Sequence, residues 1–336
     1  MRVHITSASN EKYAPGLLLA IASSLYYLDD SVEVTVHILN GGISKKSIGI
    51  LKKICTKYHS NCSLVLIDFN ENIFSGTNIG PGGSFMAYAR LMMGSLIQAE
   101  KVIYLDSDMI VLSDLLEVWN LNMEGKLIMG VPNYPPTLLK DDSPLPLTEI
   151  EKEYTYINTG FLVVDLVKWR ANDIESEALK IAKNFRCEWF DQTIINYICR
   201  NNIVLLDERW NWQADSVLEN AQVIRGVIHC SSTRKPWLYL NITLRDRLWR
   251  FLYGRFIGNF LLFSLTRYNL KDTFSELKKL AIRKSSLLRK YYFYFLRLKN
   301  GAIPSNIVHF YSNVSELQKE DKAFVKFVLS TYSSCN

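Results

Sequence analysis

The chain has 336 residues, of which 48% are hydrophobic and 12% aromatic, and its 39 lysines and arginines against 33 aspartates and glutamates give a net charge of +6. This composition excludes a disordered or fibrous protein. At roughly 150 residues per domain, the length allows two domains, or one α/β domain with an added segment.

Strand and helix patterns alternate from the start of the chain. Short β-branched runs at 2–6 and 32–39 flank an apolar helical segment at 15–28, and a helix at 44–59 and a strand at 63–67 follow. This alternation predicts an α/β fold with a mostly parallel mixed sheet.

The N-terminal region and the cysteines indicate the cellular compartment of the protein. The apolar stretch 17–28 is shorter than the roughly 20 residues that cross a bilayer, so we expect a buried helix. Met1 leads directly into a strand pattern without a secretory signal, and the six cysteines lack zinc-ligand spacing. We therefore expect a cytoplasmic protein with free thiols.

The middle of the chain continues the alternation. A helix is predicted at 85–96 and a buried strand at 101–105, and five of the nine prolines fall within 132–146, which predicts a loop or lid. Four elements follow it: a strand at 155–164, helices at 173–185 and 191–200, and a strand at 203–206.

Asp106 and Asp108 interrupt an apolar run directly after the strand at 101–105. The carboxyl edge of such a sheet is where ligands bind, and two carboxylates there suit Mg²⁺ or Mn²⁺, which a departing diphosphate requires. The alternative for this common triplet is a polar turn that closes the strand.

His229 follows a strand-like run at 223–228 and precedes Lys235 by six residues. An imidazole nitrogen could join the two carboxylates around a metal, and the lysine could reach a phosphate oxygen. The alternatives are a hydrogen-bonded structural histidine and a solvent-facing lysine.

Five ordered segments resemble glycosyltransferase family eight. They are Tyr-Ala-Arg-Leu at 88–91, Tyr-Leu-Asp-Ser-Asp at 104–108, Tyr-Ile-Asn-Thr-Gly at 156–160, Phe-Asp-Gln at 190–192, and the segment from His229 to Lys235-Pro236-Trp237. The resemblance covers roughly residues 1–240. It implies a GT-A fold, a UDP-sugar donor, Mn²⁺ with Mg²⁺ as the alternative, and retention of anomeric configuration.

The resemblance also implies a role for individual residues. Asp106, Asp108 and His229 match the metal ligands, and the donor site would be formed by Ala8, Asn10, Tyr13, Arg90, Asp106, Ser107, Asn158, Asp191, Gln192, Ser232 and Lys235. Within this set Arg90 would bridge phosphate and sugar, and Lys235 would hold the diphosphate. The alternatives are a surface arginine, capping or core amides and, for Asp191, a helix N-cap.

Two positions depart from the family pattern. Asn10 replaces an aspartate expected to accept the uracil N–H, although an amide oxygen can also accept that bond. Ser232 stands where a glycine commonly allows the backbone to approach the diphosphate. Neither change removes a metal ligand.

Gln192 matches the residue near the reacting carbon, but an amide is a poor nucleophile. We therefore favour front-side attack by the acceptor hydroxyl, with Gln192 and Asp191 as the catalytic residues. The alternative mechanism uses Asp191 as a covalent nucleophile.

The segment 245–299 is strongly basic and aromatic. It holds 14 lysines and arginines, 3 acidic residues and 13 aromatics, a charge of +11 that leaves −5 for the rest of the chain. Such a composition suits an anionic membrane interface. The alternatives are nucleic acid, which we disfavour for lack of a recognised motif, and a helical subdomain with a solvated basic face.

The sequence thus predicts a GT-A catalytic domain at 1–244 and a helical, basic membrane-association region at 245–336. The expected activity is transfer of galactose or glucose from its UDP-sugar to a lipopolysaccharide, lipooligosaccharide or other surface glycan, at the cytoplasmic face of the inner membrane. The alternatives are a glycogenin-like or protein-directed glycosyltransferase and a non-catalytic nucleotide-sugar-binding protein. The oligomeric state stays open.

Overall fold

The computed structural model describes residues 1–78, 80, 83–213, 225–232, 235–238 and 244–257. The chain divides into two compact units. The first comprises Met1–Ala214 with Arg225–Thr233, and the described residues 235–238 and 244–257 belong to the second. Most of the predicted basic region, from residue 258 onward, lies outside the described residues.

The strands described here all belong to the first unit. They are β1 (Arg2–Ser9), β2 (Glu33–Asn40), β3 (Cys62–Asp68), β4 (Lys101–Leu105), β5 (Met109–Val111), β6 (Ile128–Pro132), β7 (Ile157–Asp165), β8 (Ile203–Leu205) and β9 (Val227–His229).

Seven of these strands form one sheet in the order β3-β2-β1-β4-β7-β6-β8. All neighbours run parallel except β7, which is antiparallel to both β4 and β6. The prediction of a mostly parallel mixed sheet is confirmed. Strands β5 and β9 pair separately and antiparallel, with Met109 opposite His229.

The α-helices described are α1 (Ala14–Tyr26), α2 (Lys45–Tyr58), α3 (Met93–Leu96), α4 (Leu116–Trp119), α5 (Leu139–Asp142), α6 (Glu149–Lys152), α7 (Leu166–Ala171), α8 (Ile174–Asn184), α9 (Phe190–Cys199) and, in the second unit, α10 (Leu244–Phe256). The 3-10 helices described are Glu71–Phe74, Met86–Met92 and Glu208–Asn211.

Helices α1 and α2 follow directly from their sequences. Every residue of α1 from Ala14 to Leu25 is buried, as expected for the apolar stretch. Ser44 caps α2, because its side chain accepts the backbone N–H of Ser47. No helix among the described residues has both the length and the apolar character to cross a membrane.

Two segments differ from the sequence prediction. The helix predicted at 85–96 is a 3-10 helix over Met86–Met92 and α-helical only over Met93–Leu96. Arg90 within this 3-10 helix is buried and donates to the carbonyl oxygen of Thr159 at 2.6 Å, a contact with a distant strand that helical periodicity does not encode. The proline-rich stretch 132–146 contains the short helix α5. The prolines lie on both sides of this helix and not within it, and its first residue, Leu139, is buried in the protein.

In the second unit, aromatic contacts stabilise helix α10. The ring centroid of Trp249 lies 4.9 Å from that of Tyr253 and 5.3 Å from that of Trp237. Arg250 also donates to the carbonyl oxygen of Pro236 at 3.3 Å. These contacts join residues 235–238 to the helix.

Candidate active site

Three side chains that could ligate a metal meet beyond the carboxyl end of β4. The Nε2 atom of His229 lies 3.3 Å from Asp108 Oδ1 and 3.8 Å from Asp106 Oδ2. One ligand atom from each of the three residues lies within 4.8 Å of the others. The predicted grouping of Asp106, Asp108 and His229 is therefore present, and we call it the metal cluster.

The sheet pairings explain why these residues meet. The backbone N–H of Asp106 donates to the carbonyl oxygen of Gly160 in β7 at 2.8 Å. Strand β9 then pairs with β5, and the backbone N–H of Cys230 donates to the carbonyl oxygen of Asp108 at 2.9 Å. Three sequence segments that are far apart along the chain thus converge at one point.

Gly160 makes room for this arrangement. A Cβ atom at this position would lie 2.5 Å from His229 Cε1 and 2.9 Å from Asp106 Oδ2. The absence of a side chain is what lets β7 pass directly behind the cluster.

The ligand chemistry of the cluster fits a divalent cation. Two carboxylates and one imidazole supply hard oxygen donors with a borderline nitrogen, a set that suits Mn²⁺ or Mg²⁺. Asp108 and His229 are buried, whereas the Asp106 side chain is 24% exposed, so the site is open to a ligand on that side.

Arg90 joins the metal cluster to Asp191. Its guanidinium lies 2.8 Å from Asp106 Oδ1 through Nη2 and 2.8 Å from Asp191 Oδ2 through Nε. It also donates to the carbonyl oxygen of Thr159 at 2.6 Å and stacks over the ring of Tyr104 at 4.6 Å. Arg90 is buried rather than a surface arginine, and its contacts fix both carboxylates.

Burial and charge shift the ionisation of this network. Burial raises the pKa of Asp191 to about 7, even though Arg90 acts in the opposite direction, and the charge of Asp106 adds to the increase. Burial alone would lower the pKa of Arg90, but the two carboxylates more than offset that effect and raise it. Arg90 therefore stays charged, while Asp191 can exchange a proton near neutral pH.

Asn158 and Gln192 both bond to the backbone of strand β7 next to this network. The Oδ1 atom of Asn158 accepts the backbone N–H of Gly160 at 3.0 Å, and the Oε1 atom of Gln192 accepts that of Thr159 at 3.2 Å. Helix α9 thus holds Gln192 against strand β7, with its side chain half-buried.

The predicted donor-binding residues Ala8, Asn10 and Tyr13 lie at the end of strand β1 and directly after it. Ala8 is buried within β1, and Tyr13 precedes α1. The Oδ1 atom of Asn10 accepts the backbone N–H of Lys12 at 3.1 Å, and its Nδ2 lies 3.5 Å from Ser84 Oγ. These bonds orient the amide at the end of the strand.

Three further predicted residues have different surroundings. Ser107 is buried between the two aspartates of the cluster, and Ser232 is exposed. Lys235 is also buried but belongs to the second unit. Its role at the diphosphate stays a prediction.

Sequence reasoning gave no role to Asn211. This side chain is buried at the end of a 3-10 helix and bonds to both His229 and Asn158. In the sequence, Asn211 lies between Trp210 and Trp212, and a polar side chain among large apolar residues suggests a buried amide with hydrogen-bond partners.

The fold and this site define a glycosyltransferase of the GT-A class. The family model described as "Glycosyl transferase family 8" matches residues 4–241. The chain belongs to this family, as its motifs predicted.

Curated relatives are about a quarter identical to the chain over the aligned residues. Glycosyltransferase GlyF of Streptococcus pneumoniae is 27% identical over 259 residues, which cover 74% of this chain and 61% of GlyF. The match therefore spans less than two thirds of that relative. The probable galacturonosyltransferase-like 9 of Arabidopsis thaliana is 25% identical, with 71% of this chain and 68% of the relative covered.

Solved structures share the fold. The galactosyltransferase LgtC, solved in complex with donor and acceptor sugar analogs, matches with a TM-score of 0.64 at 22% identity, covering 76% of this chain and 96% of LgtC. The bifunctional glycosyltransferase WbbM matches with a TM-score of 0.61 at 19% identity, covering 77% and 50% of the two chains. The predicted GT-A fold is confirmed by these likenesses.

Proposed function

We propose that the protein transfers galactose or glucose from a UDP-sugar to a surface glycan, with retention of configuration and dependence on Mn²⁺. The observation that carries this proposal is the metal cluster of Asp106, Asp108 and His229 beside the sheet edge. Family membership supports the transfer of a sugar, and the donor set of the cluster supports a divalent cation.

A cation held by Asp106, Asp108 and His229 would offset the negative charge of the diphosphate as it leaves. Residues of the chain would position the donor. Arg90 holds the carboxylates of Asp106 and Asp191 in fixed positions, so the binding surface is organised before the donor arrives.

The sugar would lie near Asn158, Asp191 and Gln192. Gln192 would face the reacting carbon, and Asp191 would accept a hydrogen bond from a sugar hydroxyl. The guanidinium of Arg90 lies 2.8 Å from Asp191 Oδ2, and this positive charge would weaken the carboxylate as a nucleophile. This pairing favours front-side attack by the acceptor hydroxyl, whose proton would pass to the leaving phosphate oxygen.

The relatives bear on the choice of sugar. LgtC is a galactosyltransferase, which supports UDP-galactose, while the galacturonosyltransferase-like relatives make UDP-galacturonic acid a donor worth testing. We propose a lipopolysaccharide, lipooligosaccharide or related glycan as the acceptor.

The charge distribution supports a membrane-associated arrangement. We propose residues 1–244 as the catalytic domain and residues 245–336 as a region that binds the anionic cytoplasmic face of the inner membrane. The charge of +11 over residues 245–299 supports this proposal.

A donor screen tests the activity. Purified protein is incubated with Mn²⁺ and each of several UDP-sugars, and the release of UDP is measured with and without a chelator. We expect Mn²⁺-dependent release from UDP-galactose or UDP-glucose. Absence of release from every UDP-sugar, with glycan acceptors present, would contradict the proposal, and a mass gain of the protein itself would instead reveal self-glycosylation.

A further inference from the structure

The metal cluster is connected to a chain of buried amides. The Nδ1 atom of His229 lies 3.0 Å from Asn211 Oδ1, and Asn211 Nδ2 donates to Asn158 Oδ1 at 2.8 Å. Asn158 Oδ1 in turn accepts the backbone N–H of Gly160 at 3.0 Å. Asn211, His229 and Asn158 are all buried.

The direction of every bond in this chain follows from the backbone. The N–H of Gly160 can only donate, so the Asn158 atom facing it is the amide oxygen. Asn211 must then present its NH₂ group to that oxygen, which turns its own amide oxygen toward His229. An amide oxygen can only accept, so the proton of the neutral imidazole resides on Nδ1.

This tautomer leaves Nε2 as the deprotonated ring nitrogen. Nε2 is the atom that lies 3.3 Å from Asp108 and 3.8 Å from Asp106. A metal ligand needs a nitrogen lone pair, and the second ring nitrogen of such a histidine commonly donates to a fixed acceptor.

We propose that Asn211 is a positioning residue that fixes the Nδ1–H tautomer and the ring orientation of His229 for metal binding. This inference rests on the proposed function for the identity of the cation, but the tautomer itself is a property of the metal-free protein.

The first test reads the tautomer directly. Protein labelled with ¹⁵N-histidine is studied by NMR without metal in mildly alkaline solution, and the His229 signals are assigned by their loss in His229→Gln. We expect a protonated Nδ1 and a deprotonated Nε2. The reverse tautomer would overturn the inference whatever the protein's activity.

The second test measures Mn²⁺ affinity by calorimetry in wild type and three variants. Asn211→Leu removes the acceptor and should weaken Mn²⁺ binding by about 10–100-fold. Asn211→Asp keeps an acceptor oxygen facing Nδ1 but loses the donor to Asn158 Oδ1, so it should retain the Nδ1–H tautomer and bind Mn²⁺ more tightly than Asn211→Leu.

Asn196→Leu is the matched control. Asn196 is an equally buried asparagine that bonds to the backbone of Ile157 and Gln192. An equal loss of affinity in Asn196→Leu and Asn211→Leu would overturn the inference, as would unchanged affinity in Asn211→Leu. Wild-type protein that binds no Mn²⁺ would contradict the proposed function and the metal-binding part of the inference, while the NMR result would still decide the tautomer.

Discussion

Arg90 is a buried charged residue that is paired with two carboxylates. Its side chain is 7% exposed and contacts the carboxylates of Asp106 and Asp191, the latter 6% exposed. At the protein surface such a charge pair contributes little to stability. In the interior, removal of one partner leaves the other as an uncompensated buried charge, which is strongly destabilising. Arg90 therefore links the metal cluster to the integrity of the fold.

We expect Arg90→Met to lower the free energy of unfolding by about 3 kcal/mol, near the lower end for a broken buried pair, because Asp191 can take up a proton. Urea unfolding measures the change. Arg2→Met is the control, since Arg2 pairs with Glu33 at the surface, with both side chains 59% exposed, and its loss should change stability by less than about 1 kcal/mol. Equal losses in the two variants would contradict this interpretation.

Gly160 gives a second test at this scale. Gly160→Ala would place a methyl group against His229 and Asp106, so we expect Mn²⁺ affinity to fall at least about tenfold as the ligands are displaced. Gly49→Ala is the matched control, because nothing lies within 4 Å of a Cβ there and the helix should gain about 0.4–1 kcal/mol. Unchanged Mn²⁺ affinity in Gly160→Ala would show that the cluster is not held as described.

At the scale of elements, the sequence predicted β4 and β7 closely, whereas the strand expected at 223–228 is β9, which covers Val227–His229 and includes the histidine. The strand predicted at 101–105 is β4 with the same bounds, and Asp106 follows it as expected. Periodicity could not show the 3-10 winding at Met86–Met92, because that depends on contacts of Arg90 with distant residues. The same limit applies to Asn211, whose partners are brought together only by the sheet.

Strands β1 and β2 carry a histidine pair that makes stability depend on pH. His4 Nδ1 lies 3.0 Å from His37 Nε2. Burial, and secondarily the charge of His4, lowers the pKa of His37 from 6.5 to about 4. Burial lowers the pKa of His4 as well.

Because the folded pKa of His37 is depressed, the unfolded state binds more protons between pH 6.5 and about 4. Stability should therefore fall as the pH drops through this range, by roughly 2–3 kcal/mol from His37. Urea unfolding at several pH values measures the slope, and His37→Leu should flatten it. A slope that is the same in both proteins would show that His37 does not carry the effect.

For the whole molecule, the net charge of +6 conceals two unlike parts. Residues 245–299 carry +11, and the remainder carries −5. The division of charge can be read from the sequence. The position of the basic region at a membrane also depends on the lipid composition, which the sequence does not specify.

We expect full-length protein to float with vesicles that contain anionic lipid, and to be released as the salt concentration rises. Replacing Lys278, Lys279, Arg283 and Lys284 with glutamine should weaken flotation, whereas replacing four lysines of the first unit, Lys45, Lys46, Lys52 and Lys53, should not. Wild-type protein that stays with the unbound fraction would contradict the membrane proposal and leave the catalytic one intact.

We propose that Asp106, Asp108 and His229 hold a divalent cation for sugar transfer. The most direct measurement compares Mn²⁺ binding and Mn²⁺-dependent UDP release in wild type, in the double variant Asp106→Asn, Asp108→Asn, and in Asp68→Asn. Asp68 is an exposed aspartate at the end of β3, bonded to Asn40 at 2.8 Å, and serves as the control. We predict that the double variant loses both Mn²⁺ binding and UDP release while Asp68→Asn keeps them; undiminished Mn²⁺-dependent release in the double variant would contradict the claim.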